Sequence, residues 1–246
     1  METKLNYKRT FLIGLAFLSI CSFWQMYDNI IPLILQNTYH LGETMTGAVM
    51  ALDNVLAIFL LPVFGTLSDK VHTKLGRRMP FIVSGTILAV IFMMLLPMID
   101  NAEKARWGTV ESFSNQVIFL AVLFFTLVSM GLYRSPAVAL MPDVTPNHLR
   151  SRANAVINLM GAVGGVYALI MIKVLVGKGE TPDYLPLFAS IAAVMAIAVG
   201  ILVITIRENK LREEVEKAEA ANAGTIEEKA MAEGVEAAGE IEAVGD

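Results

Sequence analysis

The stretch GTLSDKVHTKLGRRMPFI, Gly65 to Ile82, sets Asp69, Lys70, Lys74, Arg77 and Arg78 in a short polar gap between two long apolar runs. Gly65 and Gly76 let the chain turn closely there, and Asp69 at the end of the preceding run can accept bonds from Arg77 or Arg78. Runs of that length are built to cross lipid. With 55% apolar side chains and a mean hydropathy of +0.60, the 246 residues are too hydrophobic for a soluble core.

Working outward from this loop, six apolar runs are legible: Phe11 to Leu35, Gly47 to Leu67, Pro80 to Ile99, Val117 to Met141, Ala153 to Val176 and Leu185 to Ile206. Each is near the ~20 residues that a membrane helix needs. The expected fold is an all-α membrane protein of six transmembrane helices. Pro32, Pro62, Pro97 and Pro136 fall inside or near the ends of these runs, where membrane helices tolerate breakers. Twelve Lys and Arg flank the spans on the side of the termini, against four on the other, so both termini are expected in the cytoplasm of a multi-pass plasma-membrane protein. The first run is too long, and too soon followed by further spans, to be a cleaved signal peptide.

The expected organisation is a cytoplasmic N-terminus over 1–10, a transmembrane bundle over 11–207 and an acidic cytoplasmic linker or tail over 208–246. That tail carries twelve acids and four bases, which sets the overall charge of −4, whereas the membrane part is mildly basic. Rich in Glu, Ala and Gly, it reads as an extension of helix six for a few turns and then as largely disordered chain, with no chemistry assigned. The single cysteine, Cys21, lies within the first span, so neither a disulfide framework nor a cysteine-based metal site is available.

The order Gly65, Leu67, Asp69, Gly76, Arg77, Arg78 resembles the loop between helices two and three of the major facilitator superfamily. Its long spacing, followed by Met79, Pro80 and Phe81, is similar to that of the sucrose and glycoside proton symporters of that superfamily. A second stretch, MPDVTPNHLRSRANA, carries Asp143, Pro146 and Arg150 and resembles the acid, Pro, Arg pattern that sugar-transporting members have between helices four and five. The resemblance covers residues 11 to 207 and implies the N-terminal half of a facilitator fold, made of two inverted three-helix repeats. It implies a second six-helix half as partner, because the family's members have two such halves around a central cavity. It also implies that Asp69 with Arg77 and Arg78, and Asp143 with Arg150, form a cytoplasmic charge network that holds the outward-open state. Read without the resemblance, Lys70, Lys74, Arg77 and Arg78 are positive-inside anchors, and any one pair is a surface pairing worth at most ~1 kcal/mol.

Ionisable groups within spans cost at least ~2.5 kcal/mol each at mid-bilayer and mark function by default. Asp28 lies seven residues before the end of the first run and Asp53 six residues after the start of the second, which puts both roughly 10 Å below the outer surface. Two carboxylates at one depth couple each other's titration, which suits proton coupling; sodium coordination by the pair is the competing chemistry. The bland alternative bonds each to a neighbouring helix, Asp28 to Asn54 for example. Arg134 lies roughly 10 Å from the other end of helix four, beside Tyr133, with Asn158 of helix five at a similar depth. It can snorkel to the interface or donate to sugar hydroxyls. Plant-type sucrose symporters carry a helix-four Arg two residues beyond their Pro; in this chain that slot is Val138, and the Arg comes one turn earlier.

The helix-one run Trp24, Gln25, Tyr27, Asp28, Asn29 is polar and aromatic where lipid would call for Leu, Ile and Val. Sugar sites use aromatic faces against the ring and amides against hydroxyls. Trp24, Gln25, Tyr27, Asn54, Tyr133, Arg134 and Asn158 are therefore the candidate sugar contacts, and Asp28 and Asp53 the candidate ion-coupling groups. Gly161, Gly164 and Gly165 read as a close helix contact.

Other classes lack their signatures. His40, His72 and His148 all fall in loops, no HExxH occurs, and there are no paired NPA boxes, no carrier-type repeat and no Walker sequence. No enzymatic activity, cofactor, metal or nucleic-acid partner is expected. The expected function is secondary active transport of a sugar with a proton, by alternating access within a lipid bilayer. The alternatives are sodium coupling, or a non-transporting truncated half or assembly partner of a membrane complex.

Overall fold

The computed structural model describes residues 5–106, 113–177, 179, 182–217 and 219–220. The ends of the expected N-terminus and tail, residues 1–4 and 221–246, lie outside the described residues. Six long helices carry the chain: α1 (Tyr7–Asn37), α2 (Glu43–Lys70), α3 (Met79–Lys104), α4 (Phe113–Asp143), α5 (Arg150–Leu175) and α6 (Leu185–Thr205), with a 3-10 turn, Asn147–Leu149, leading into α5. All six are long and apolar enough to span a membrane.

Each expected run coincides with one helix, the fifth and sixth running one residue past theirs, and α1 to α5 begin before their runs. At 31 residues α1 and α4 are each about 46 Å long, against a hydrocarbon core of about 30 Å. Their charged ends therefore stand outside the apolar layer, and apolarity alone stops short of them. Asn6 opens α1 by accepting the backbone N–H of Arg9 at 3.1 Å. Helix α6 stops where Ile206 turns extended, and after that break residues 208–217 form a separate helix, not the continuation of helix six that the sequence suggested.

The helices alternate in direction, so one end of the bundle carries the chain start, the α2–α3 and α4–α5 connections and the end of α6; we call it the basic end. Helices α1 and α4 are central: α1 packs chiefly on α5 and α6, α4 chiefly on α3 and α2. This is what two inverted three-helix repeats require, since α1 meets α5 as α4 meets α2, and α1 meets α6 as α4 meets α3. The α1–α5 contact is the closest. A Cβ at Gly164 would lie 2.1 Å from the Leu18 carbonyl oxygen, and the Ser22 hydroxyl binds the Gly164 carbonyl at 2.9 Å. Helix α2 is peripheral and turns Val55, Ile58 and Phe59 outward, as a lipid-facing helix would.

Candidate functional site

On α1, Cys21, Trp24 and Asp28 recur at helical spacing: Cys21 is half-buried with its sulfur against Gly161 of α5, Trp24 is half-buried against the core, and Asp28 is exposed. Trp24 of α1, Asp53, Leu56 and Leu60 of α2, and Gly131 and Arg134 of α4 line one narrow cleft of about 20 Å³, the room of a water molecule. The Arg134 guanidinium lies over the Trp24 ring, 5.5 Å from its centre, a cation–π contact that holds the charge at mid-span instead of at the interface. Trp24 is wedged edge-on against Phe23 and Tyr27, at ring separations of 5.3 and 5.4 Å. The Trp24 indole N–H and the Tyr27 hydroxyl are buried with no hydrogen-bond partner among the described residues. Tyr27, 1% exposed and in the core, lines no part of the cleft, so of the two donors only the Trp24 indole belongs to a cleft residue, beside the Arg134 cation and the Asp53 carboxylate.

Asp28 is exposed, Asp53 half-buried, and the two lie within electrostatic range of each other. Asn54 does not reach Asp28, the partner that the bland reading gave it; its amide donates to Asp53 Oδ1 at 3.0 Å. Three candidates lie elsewhere. Tyr133 is fully buried, its hydroxyl paired with Ser19 Oγ at 2.7 Å and donating to the Ala16 carbonyl at 3.1 Å, so it fastens α4 to α1 and is no cleft residue. Adjacent helical residues point about 100° apart, so Arg134 and Tyr133 cannot share a wall. Gln25 sits at the α1–α5 contact, with Oε1 3.7 Å from where a Cβ on Gly165 would be. Asn158 is exposed on α5, and α5 contributes nothing to the lining of the cleft.

At the basic end, the charged loop closes into a network. Arg78 is 5% exposed and bonds Asp69 at 2.6 Å, Asp143 at 3.0 Å, the Gly65 carbonyl at 3.1 Å and the Ser68 hydroxyl. Arg77 bonds Asp143 at 2.8 Å and Asp69 at 3.5 Å. Burial opposes the charge of Arg77, but the hydrogen bond and charge of Asp143, with Asp69 and Glu208 nearby, raise its pKa above the ordinary arginine value. Asp143 is thus shared by the two arginines of the α2–α3 loop and does not pair with Arg150, as the resemblance implied. Arg150 instead caps the end of α4, donating to the carbonyls of Pro142 at 2.9 Å and Thr145 at 3.2 Å. The C-terminal carbonyls of a helix carry partial negative charge that draws a cation, while Asp143 is drawn to two cations at once.

One member of this network was given no role by the sequence reading. Glu208, the first residue of the 208–217 helix, is fully buried beneath the loop. Its two oxygens accept the backbone N–H groups of Arg77, Arg78 and Met79 at 2.9–3.1 Å, capping the start of α3. Gly76 makes room: its φ of +123° suits only glycine, and a Cβ there would lie 2.1 Å from the Glu208 carboxylate. Asn209 adds a bond to the Thr73 carbonyl at 3.0 Å.

Residues 13–235 match the family model described as Major Facilitator Superfamily. The chain belongs to the major facilitator superfamily. It is similar to the sucrose transport protein SUT3 of Oryza sativa subsp. japonica, 26% identical over 137 residues, covering 52% of this chain and 27% of the relative. It is 34% identical over 116 residues to the sucrose transport protein SUC4 of Arabidopsis thaliana, covering 44% and 22%. An uncharacterized symporter of Synechocystis is 24% identical over 144 residues, covering 56% and 25%. The chain thus spans about a quarter of the length of each.

This facilitator chain also has a second polar cluster, at the end opposite the basic loop, which the apolar runs concealed because the third run stops at Ile99. Asp100, fully buried, accepts the Thr38 hydroxyl of α1 at 2.7 Å and Lys104 Nζ at 2.6 Å. Lys104 also reaches the Pro182 carbonyl at 2.6 Å and sits 4.4 Å from the centre of the Tyr184 ring. These bonds fasten α1, α3 and the start of α6. The facilitator half is therefore pinned at both ends, and its uncovered polar groups lie between the pins.

Proposed function

We propose that this facilitator chain is the N-terminal half of a secondary active transporter that moves a sugar of sucrose or glycoside type together with a proton, by alternating access. The observation that carries the reading is the cleft where Trp24, Asp53 and Arg134, from three different helices, meet at mid-span. Trp24 supplies the aromatic face for a sugar ring, Arg134 and the indole N–H supply donors for its hydroxyls, and Asp53, steadied by Asn54, exchanges the coupling proton with Asp28. Gln25 and Asn158, on the α5 side, serve a ligand that extends past the cleft; Tyr27 backs Trp24.

The exposed Asp28, Asn54 and Asn158 favour a second six-helix half facing this one, since at these depths lipid is a poor partner for them. In this reading the network of Asp69, Arg77, Arg78 and Asp143 lies on the cytoplasmic side, holds one arrangement of α2, α3 and α4, and yields when the halves rock. The likeness to sucrose transport proteins supports the substrate class.

The test joins the chain to a complementary six-helix half of a sucrose transport protein, reconstitutes the complete two-half protein in vesicles with an imposed pH gradient, and follows internal sucrose and internal pH together. Saturable sucrose accumulation with proton entry is expected, lost in Asp53→Asn, with Asp28→Asn losing accumulation but retaining exchange. Sucrose flux that follows a sodium gradient and ignores the pH gradient would replace the proton with sodium, and absence of any saturable flux would refute the reading.

A further inference from the structure

The starts and stops of the outer helices leave a second groove, far from the cleft. Asn6, Lys8, Arg9 and Leu12 at the start of α1 face Ile206, Arg207, Lys210, Leu211 and Glu214 beyond the end of α6, around a space of about 270 Å³. Four cations and one carboxylate line it. Arg9 spends part of its charge on Glu214, at 3.4 Å. Lys8, Arg207 and Lys210 are exposed and make no ion pair or side-chain hydrogen bond among the described residues. The first turn of α1 has no acidic residue either, so the partial positive charge of the helix start adds to theirs.

We propose that this groove binds the phosphate headgroup of an anionic phospholipid. Its charge calls for a phosphate, and its place selects lipid over a soluble anion. The cations stand where α1 begins and α6 ends, the level at which the apolar spans give way to polar chain. Leu12 and Ile206 line the groove beside the cations, and on the same two helices Phe11 and Ile204 are 51% and 85% exposed, apolar surface for acyl chains. Lys70 at the end of α2 and Lys74 on the α2–α3 loop, equally exposed, do not line this groove. The proposal needs only that the chain spans a membrane; it does not depend on sugar transport.

The full chain in detergent is titrated, by native mass spectrometry, with a short-chain phosphatidylglycerol, a phosphatidylcholine of the same chains, and inorganic phosphate. One near-surface cation is worth about a factor of five in binding an anionic lipid, so Lys8→Gln, Arg207→Gln and Lys210→Gln together should weaken phosphatidylglycerol on the order of 100-fold. Lys210→Gln alone, which leaves the fold's ion pairs untouched, should weaken it about five-fold, and Lys70→Gln with Lys74→Gln should leave it unchanged. Equal retention of phosphatidylcholine would overturn the proposal. So would inorganic phosphate displacing phosphatidylglycerol at matched concentration, or the loop pair weakening binding as much as the groove triple.

Discussion

Replacing Glu208 by Ala removes the only carboxylate, among the described residues, on the three N–H groups that open α3, and the structure fixes what that should cost. Arg77, Arg78 and Met79 donate to it through four contacts of 2.9–3.1 Å around a fully buried side chain. A buried donor left without its partner costs about 1–3 kcal/mol, and the three losses are not additive because water can follow the vacated side chain in. We take about 3 kcal/mol in total, a factor on the order of 100 in the local opening equilibrium. Glu208→Gln keeps one acceptor oxygen but turns the other into a donor facing N–H groups, so about half the loss and a factor of roughly 10 is expected. Amide hydrogen exchange reads this directly, since protection reports local opening free energy. Peptides covering 77–79 should exchange faster in the order wild type, Gln, Ala, while peptides from the middle of α4 stay unchanged. Exchange at 77–79 within two-fold of wild type in Glu208→Ala, or Gln as disruptive as Ala, would refute the reasoning.

Three further outcomes follow from the same contacts. Arg78→Lys should lower the thermal midpoint more than Arg77→Lys, because a lysine cannot serve Asp69, Asp143, Gly65 and Ser68 from one point; about 2 kcal/mol against about 1 is expected, and the reverse order would contradict the network as described. Tyr133→Phe should cost about 1 kcal/mol of stability by losing the bonds to Ser19 and Ala16, with the KM for sugar uptake unchanged; a raised KM would return Tyr133 to the cleft. The Asn101 amide and then the Leu185 backbone N–H hold the pKa of Asp183 below the ordinary aspartate range. Its contribution is therefore complete above that range and is lost as pH falls through the lowered value, so the stability deficit of Asp183→Asn should shrink on acidification. A deficit constant into strong acid would contradict this.

The six spans were legible because each apolar run is longer than any soluble core needs, and the loop from Gly65 to Ile82 marked the family. Trp24, Asp53 and Arg134 each stood out, because a polar aromatic, an acid and a cation are out of place within a span, but the sequence set Asp53 beside Asp28 and Arg134 beside Tyr133 and Asn158, not the three together. What apolarity could not supply was direction around the helix: Tyr133 and Arg134 are neighbours in sequence and face different partners. Asp100 was hidden because a run defined by apolarity ends before the first acid, although the helix continues. Glu208 was hidden among the twelve acids of the tail. A signal was present nonetheless, since α3 opens on Gly-Arg-Arg-Met-Pro with no Ser, Thr, Asp or Asn to cap it, and a buried helix start without a cap must borrow an acceptor from elsewhere. The Asp143–Arg150 pair failed for a related reason: spacing along the turn says nothing of the two arginines that arrive from the other loop.

The central claim is that the polar residues of α1, α2 and α4 border a cleft that water enters from one side of the membrane, and Cys21 allows it to be tested in the unmodified chain. It is the chain's one cysteine, half-buried one turn before Trp24, outside the cleft lining, with its sulfur against Gly161 of α5 and within electrostatic range of Arg134, so it samples whether water reaches past the cleft between α1 and α5. A charged, membrane-impermeant thiol reagent added to sealed vesicles should label Cys21, and sucrose should slow the labelling. Labelling by a lipid-soluble maleimide alone, with the charged reagent reacting only after the protein is unfolded, would contradict the account.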